Sequence, residues 1–121
     1  MKKFLLAAAL IIGVVVSQFV IPSQAQAAEL YCFSETRGGK TTDTYVLTDS
    51  VQGTDYGFKV RLHSVGRNYS YSNYWEVGFV KRGNEIYIVW LPSTSTTLIA
   101  RGNTVIEPDY VKILQVLRDN K

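Results

Sequence analysis

Cys32 and His63 are the side chains in this 121-residue sequence best suited to nucleophilic chemistry, and each is the sole residue of its type. A thiol and an imidazole need only meet in space to act as nucleophile and base. Their local sequence gives that pairing no support. No Gly-rich turn presents Cys32, and no helix N-terminus follows it to lower the thiol pKa. His63 alternates with Lys59 and Arg61 in GFKVRLHSV, on the polar side of a strand, where an exposed imidazole is expected. One Cys and one His cannot complete a tetrahedral zinc site without carboxylates. The pairs Asp43/Asp49 and Glu107/Asp109 read as ordinary loop and helix-start acids. Phosphate loops, nucleophile elbows and dinucleotide fingerprints are absent from the sequence. The expectation is therefore a protein that is not an enzyme, with no cofactor and no metal.

The stretch RNYSYSNYWEV, residues 67–77, offers recognition chemistry instead. Flat aromatics give contact area at low entropic cost, and small polar residues adapt between them. Strands use the same aromatics for packing, so the two uses have to be separated by register. Gly83-Asn84, flanked by apolar runs in VGFVKRGNEIYIVWLP, is a two-residue hairpin loop in which Gly supplies the positive φ. That loop puts Arg82 opposite Glu85, Phe79 opposite Ile88 and Val77 opposite Trp90. Trp75 and Ile86 share the apolar side, which makes Trp75 structural. Tyr74 and Glu76 fall on the other face. Arg67, Tyr69, Tyr71 and Tyr74 remain as the candidate ligand-binding residues. Tyr69 and Tyr71 belong either to a solvated loop or to a plain extension of the strand.

The elements around this stretch follow from periodicity. LYCFSETRGGKTTDTYVL reads as two strands joined at Gly38-Gly39, and residues 48–55 as a loop. Phe58, Val60 and Leu62 mark the buried face of the next strand. Arg101-Gly102-Asn103 repeats the turn tripeptide and predicts a shorter hairpin with Ala100 opposite Val105. The period then changes: Tyr110, Ile113, Leu114 and Leu117 stand at helical spacing, with Pro108 and Asp109 first and Arg118 near the end. Such a short helix is marginal alone and must pack on the sheet. The predicted fold is α+β: a mostly antiparallel β meander of about five to seven strands with one C-terminal amphipathic helix, residues 108–120, packed on it.

The first residues, MKKFLLAAALIIGVVVSQFVIPSQAQA, have the basic start, apolar run and Ala-x-Ala box of a secretory signal peptide, residues 1–27, cleaved near Ala27. A single small domain over 28–121 follows, secreted or periplasmic. Lys2 and Lys3 are two of the thirteen bases, so eleven remain against ten acids. That near-neutral balance, without a basic stripe, disfavours nucleic acid, and no span of a membrane is expected after cleavage. Cys32 is either a buried thiol in a strand or an intermolecular thiol, since one cysteine makes no intrachain bridge. Asn68-Tyr69-Ser70 fits a glycosylation sequon, a chance match behind a bacterial-type leader.

TYVLTDSVQ at residues 44–52, then GFKVRLHSV, then EPDYVKILQVL resemble the small secreted bacterial proteins of the surface-adhesin protein E type. The resemblance rests on a Tyr-Val-x-x-Asp-Ser-Val box, an alternating strand and a proline-led terminal helix. It implies an antiparallel sheet with a terminal helix, no cofactor, and a role at the cell envelope that is adhesive in some members. Members often carry a cysteine pair, which this chain lacks. Tyr45, Asp49 and Ser50 match the box, and Asp and Ser there suit a strand-to-turn device that bonds local backbone. Function across such a type varies.

Three functions stay open. The first is a secreted binding or adhesin-like protein that meets another protein or an envelope or host-matrix component. The second is a structural or self-associating envelope subunit, homodimer included, or an inhibitor of a secreted enzyme. The third and most remote is a Cys/His enzyme.

Overall fold

Phe58, Val60, Leu62 and Ser64 are buried while Lys59, Arg61 and His63 between them are not, and this period of two organises the sheet. The computed structural model describes residues 28–120, so the leader expected over 1–27 and its cleavage site lie outside the described residues. Among the described residues eight strands run in chain order: β1 (Glu29–Arg37), β2 (Lys40–Leu47), β3 (Gln52–Gly53), β4 (Gly57–Gly66), β5 (Ser72–Arg82), β6 (Glu85–Trp90), β7 (Ser95–Arg101) and β8 (Thr104–Val105). Helix α1 (Pro108–Asp119) follows β8. Every pairing is antiparallel, in the order β1-β2-β4-β5-β6-β7-β8, with β3 paired to β4 off that path.

The hairpin register read from the Gly83 turn is present: Val77 faces Trp90, Phe79 faces Ile88 and Arg82 faces Glu85. Gly83 has φ 63°, the left-handed value that the turn requires of it. The second hairpin pairs Ala100 with Val105 as expected. The strand count exceeds the expected five to seven because residues 48–55 are not all loop. Thr48–Ser50 forms a 3₁₀ turn, and Gln52 and Gly53 pair with Lys59 and Phe58. The backbone N–H of Thr54 donates to Gly57 O at 3.0 Å, and Thr54 Oγ1 accepts from the Gly57 N–H, folding β3 back on β4. Two residues are too few to show a period. Ser50 does bond local backbone, donating to Leu47 O at 2.7 Å and accepting from the Arg61 N–H at 2.8 Å.

Helix α1 contacts β1 and β2 near one end of the sheet and β7 near the other, which requires the sheet to curl into a half-barrel around it. Val111, Ile113, Leu114 and Leu117 are buried against Val46, Leu62, Val77, Phe79, Ile88 and Ile99. Burying an aliphatic side chain of this kind contributes roughly 1.5–3 kcal/mol, so this contact supplies what a lone twelve-residue helix lacks. No helix among the described residues is long and apolar enough to cross a membrane.

Cys32 lies at a bulge in β1. Tyr31 pairs with Tyr45 and Phe33 with Thr44, leaving Cys32 as the extra residue. The bulge lets two successive side chains, Cys32 and Phe33, both enter the core.

Candidate functional site

The concave side of the half-barrel is apolar under the helix and polar beyond it. One cross-strand row on this side is Leu30, Val46, Leu62 and Trp75. The next row is Phe33, Thr44, Ser64 and Asn73, and the one after it begins Glu35, Thr42, Gly66. These last two rows, with Trp75, floor a cleft of about 390 Å³. Tyr69 and Tyr71 stand at one side of it and Tyr110 of α1 at another.

The floor is hydrogen-bonded within itself. The Trp75 indole N–H donates to Ser64 Oγ at 2.8 Å, and Ser64 Oγ lies 3.1 Å from Thr44 Oγ1. Thr42 Oγ1 and the Tyr69 hydroxyl are 2.5 Å apart. Aromatic packing builds the wall: Trp75 stacks on Trp90 at 6.1 Å, and Tyr110 meets Trp90 and Phe33 edge-on at 5.2 and 5.8 Å. Burial raises the pKa of the Tyr110 phenol, and Glu35, Glu107 and Asp109 raise it further. Tyr110 therefore stays neutral across the physiological range.

The tyrosine loop is held in place by its neighbours in sequence. Tyr69 lies across Gly66, where a Cβ would sit 2.3 Å from Tyr69 O and 3.0 Å from its ring, so only glycine fits. The Gly66 N–H donates to Tyr71 O at 2.8 Å, closing the bend. Tyr69 and Tyr71 then stack with centroids 5.7 Å apart, and the Lys40 ammonium lies 5.4 Å from the Tyr69 centroid. Tyr71 is 43% exposed, and Tyr69 is half-buried. Of the two readings of this segment, the structure shows a bend over residues 67–70 rather than a continued strand.

Arg67 and Asn68 tie that bend to the β1–β2 hairpin. The Asn68 amide donates to Gly39 O at 2.8 Å and accepts from the Thr41 N–H at 2.9 Å. Arg67 grips Asp43 with two N–H donors, at 2.7 and 3.2 Å, and Ser34 Oγ donates to the same carboxylate at 2.6 Å. The Arg67 and Ser34 hydrogen bonds hold Asp43 below its ordinary pKa, and Asp43 in turn raises that of Arg67. Arg67 thus sits with Asp43 on the convex side and anchors the loop from behind. It does not line the cleft.

Tyr74 is also on the convex side, in a row the sequence did not reveal. Tyr31 pairs with Tyr45, Tyr45 with His63 and His63 with Tyr74, which aligns four rings across β1, β2, β4 and β5. His63 stacks flat on Tyr74 at 4.0 Å. Its Nδ1 lies 2.7 Å from Glu29 Oε1, and a carboxylate only accepts, so Nδ1 carries the proton; Nε2 lies 2.9 Å from Ser72 Oγ. The imidazole is therefore bonded at both nitrogens and covered by a ring, which corrects the expectation of an exposed histidine. Arg61 lies 5.3 Å from the Tyr74 centroid. Tyr74, Arg61, Glu76, Leu91 and Pro92 surround a second hollow of about 410 Å³.

Cys32 belongs to the core, 3% exposed, with burial pushing its thiol up to about 12. It lies on the opposite side of the sheet from His63, and the two are not brought together. Among the described residues no three His, Cys, Asp or Glu side chains gather as a metal site would need.

Of the candidates read from the sequence, the structure assembles Tyr69 and Tyr71 at the cleft and separates them from Arg67 and Tyr74. Glu35, Thr42, Thr44, Ser64, Asn73, Trp75 and Tyr110 were missed as site residues. No family model, curated protein or solved structure matches the chain.

Proposed function

We propose that the protein is an extracytoplasmic, non-enzymatic binding module that receives its ligand in the cleft between Tyr69/Tyr71 and the Trp75–Tyr110 wall. The observation that carries this reading is the preorganised tyrosine loop: residues 66–71 are fixed by backbone bonds, the Asn68 clamp and the Arg67–Asp43 pair, yet they leave Tyr71 exposed. Holding an aromatic side chain rigid at the mouth of a cleft lowers the entropic cost of binding through it. The extracytoplasmic setting is supported by the leader-like residues 1–27, and an adhesive role by the resemblance to the surface-adhesin protein E type. The test is retention of envelope and host-matrix components on immobilised protein, comparing wild type with Tyr71→Ala and Asn73→Ala. Loss of a retained component with both variants is the expected result. Equal recovery on all three proteins would remove the cleft as the site.

Self-association is a second reading, favoured by the convex row of rings, in which Tyr31 is 51% and Tyr74 47% exposed. Sedimentation over a concentration series decides it. A dimer that Tyr74→Ser leaves intact would exclude that surface.

A further inference from the structure

We propose that the cleft takes an uncharged pyranose ring, the end of a neutral glycan; this rests on the cleft being the binding site. The charge of its lining is the first reason. Glu35 is the only charged side chain among the described residues lining the cleft, so an anionic group would meet a carboxylate and no base on its floor. Lys40, whose ammonium lies over the Tyr69 ring just outside that lining, offsets the Glu35 carboxylate, so the cleft carries no net charge that would select a ligand of either sign.

Hydrogen-bond chemistry narrows the choice further. Thr42, Thr44, Ser64 and Asn73 present hydroxyls and an amide, groups that donate as well as accept. An ammonium ligand uses acceptors only, and a hydrocarbon ligand would strand the Asn73 amide at a cost and leave the spare lone pairs of the three hydroxyls unused. The Asn73 side chain has no hydrogen-bond partner among the described residues and is exposed at the cleft. A pyranose offers what this lining lacks: adjacent hydroxyls that both donate and accept, on a ring whose C–H faces are apolar.

The aromatic groups suit the rest of such a ring. Tyr69 and Tyr71 stack with their planes only 20° apart, and Trp75 stands on the other side of the hydroxyl row. A flat C–H face packs on an aromatic face through dispersion and the ring's negative quadrupole. The volume of about 390 Å³ lies at the small end of the range for small-molecule sites, roughly 300–1,000 Å³, as a terminal sugar requires.

The experiment is a ¹⁵N-NMR titration of protein purified after expression of the full chain. The probes are the methyl pyranosides of glucose, galactose, mannose and N-acetylglucosamine, with tetramethylammonium chloride as the cationic control. At least one pyranoside shifts the amides of Tyr69, Tyr71 and Asn73 and saturates in the millimolar range. Tyr71→Ala weakens that binding about tenfold, whereas Tyr71→Phe, which keeps the ring, preserves it. Asn73→Ala, at an exposed position, gives a second loss independent of the loop, and the spectra report directly that each variant is folded. Pyranosides that leave these amides unmoved, or that bind equally to Tyr71→Ala and wild type, overturn the glycan assignment. Tetramethylammonium alone shifting the cleft amides overturns it too, while leaving the cleft as the binding site. If every probe is silent and retention of envelope components still depends on Tyr71, the glycan assignment falls alone. If every probe is silent and retention is equal on wild type, Tyr71→Ala and Asn73→Ala, both readings fall.

Discussion

Replacing Ser64 with Ala tests whether the cleft floor is held by its hydroxyl network. Ser64 is 6% exposed, and its Oγ accepts from the Trp75 indole at 2.8 Å and lies 3.1 Å from Thr44 Oγ1. Each such bond contributes about 1 kcal/mol net. The Thr44 hydroxyl is buried and loses this partner outright, whereas the Trp75 N–H lines an open cleft and can turn to water. The expected loss is therefore about 1–2 kcal/mol rather than the full penalty for two stranded groups. In a domain of this size each kcal/mol moves Tm by roughly 4–8 °C, so Ser64→Ala should melt about 5–15 °C below wild type. Trp75 and Trp90 are the only tryptophans, so indole emission follows the same change. A double-mutant cycle with Trp75→Phe removes the contribution of strand propensity and should leave about 1 kcal/mol of coupling. Additivity in that cycle, or a Tm unchanged by Ser64→Ala, would refute the network as a source of order in the cleft.

The remaining predictions concern the core thiol, the loop anchor and the loop's one essential glycine. With its pKa pushed up to about 12, Cys32 should react with a thiolate-selective disulfide reagent about a thousandfold more slowly than an ordinary cysteine at pH 8 and fully only in denaturant; equal rates in native and unfolded protein would contradict its burial. Asp43 titrates below the usual 3.8 when folded, so its contribution is complete above that value and is lost as pH falls through the lower folded pKa. The Tm gap between wild type and Asp43→Asn should therefore be present at neutral pH and shrink below about pH 3.8; a gap that stays constant would mean the Arg67 contact stabilises nothing. Gly66→Ala puts a methyl 2.3 Å from Tyr69 O and 3.0 Å from its ring, so the bend must shift and move Tyr69 with it. Unchanged Tyr69 ring resonances in that variant would show that the loop is looser than its bonds imply.

How much of this was legible in the sequence depended on how each pair of strands is joined. The Gly83-Asn84 turn fixes its own register, so Val77/Trp90 and Phe79/Ile88 could be paired residue by residue. The helix announced itself through Tyr110, Ile113, Leu114 and Leu117, three of which are buried and the fourth packed against the core. Between β2 and β4, in contrast, the chain passes through a 3₁₀ turn and the two-residue β3, and no rule of turn geometry carries register across them. Without that register, Tyr45 could not be set beside His63, nor Thr44 beside Ser64. The convex row of rings and the hydroxyl floor were invisible for the same reason.

Lengths supply the signal that would have found the cleft. A helix of twelve residues is about 18 Å long, whereas strands of ten and eleven residues extend about 33–36 Å. One end of the concave face must therefore go uncovered, and a sequence folding this way has to stop placing aliphatics there. It does so on three strands in step: Val46 gives way to Thr44 and Thr42, Leu62 to Ser64 and Gly66, and, beyond Val77, Trp75 to Asn73. A surface left only to face water would need no more than that change to polar residues. Here the change is accompanied by Tyr69 laid across Gly66, Tyr71 stacked upon it, and Arg67 and Asn68 bonded behind them. Solvation alone gives no reason to immobilise two tyrosines over a row of hydroxyls, whereas a ligand that must find its contacts already in place does.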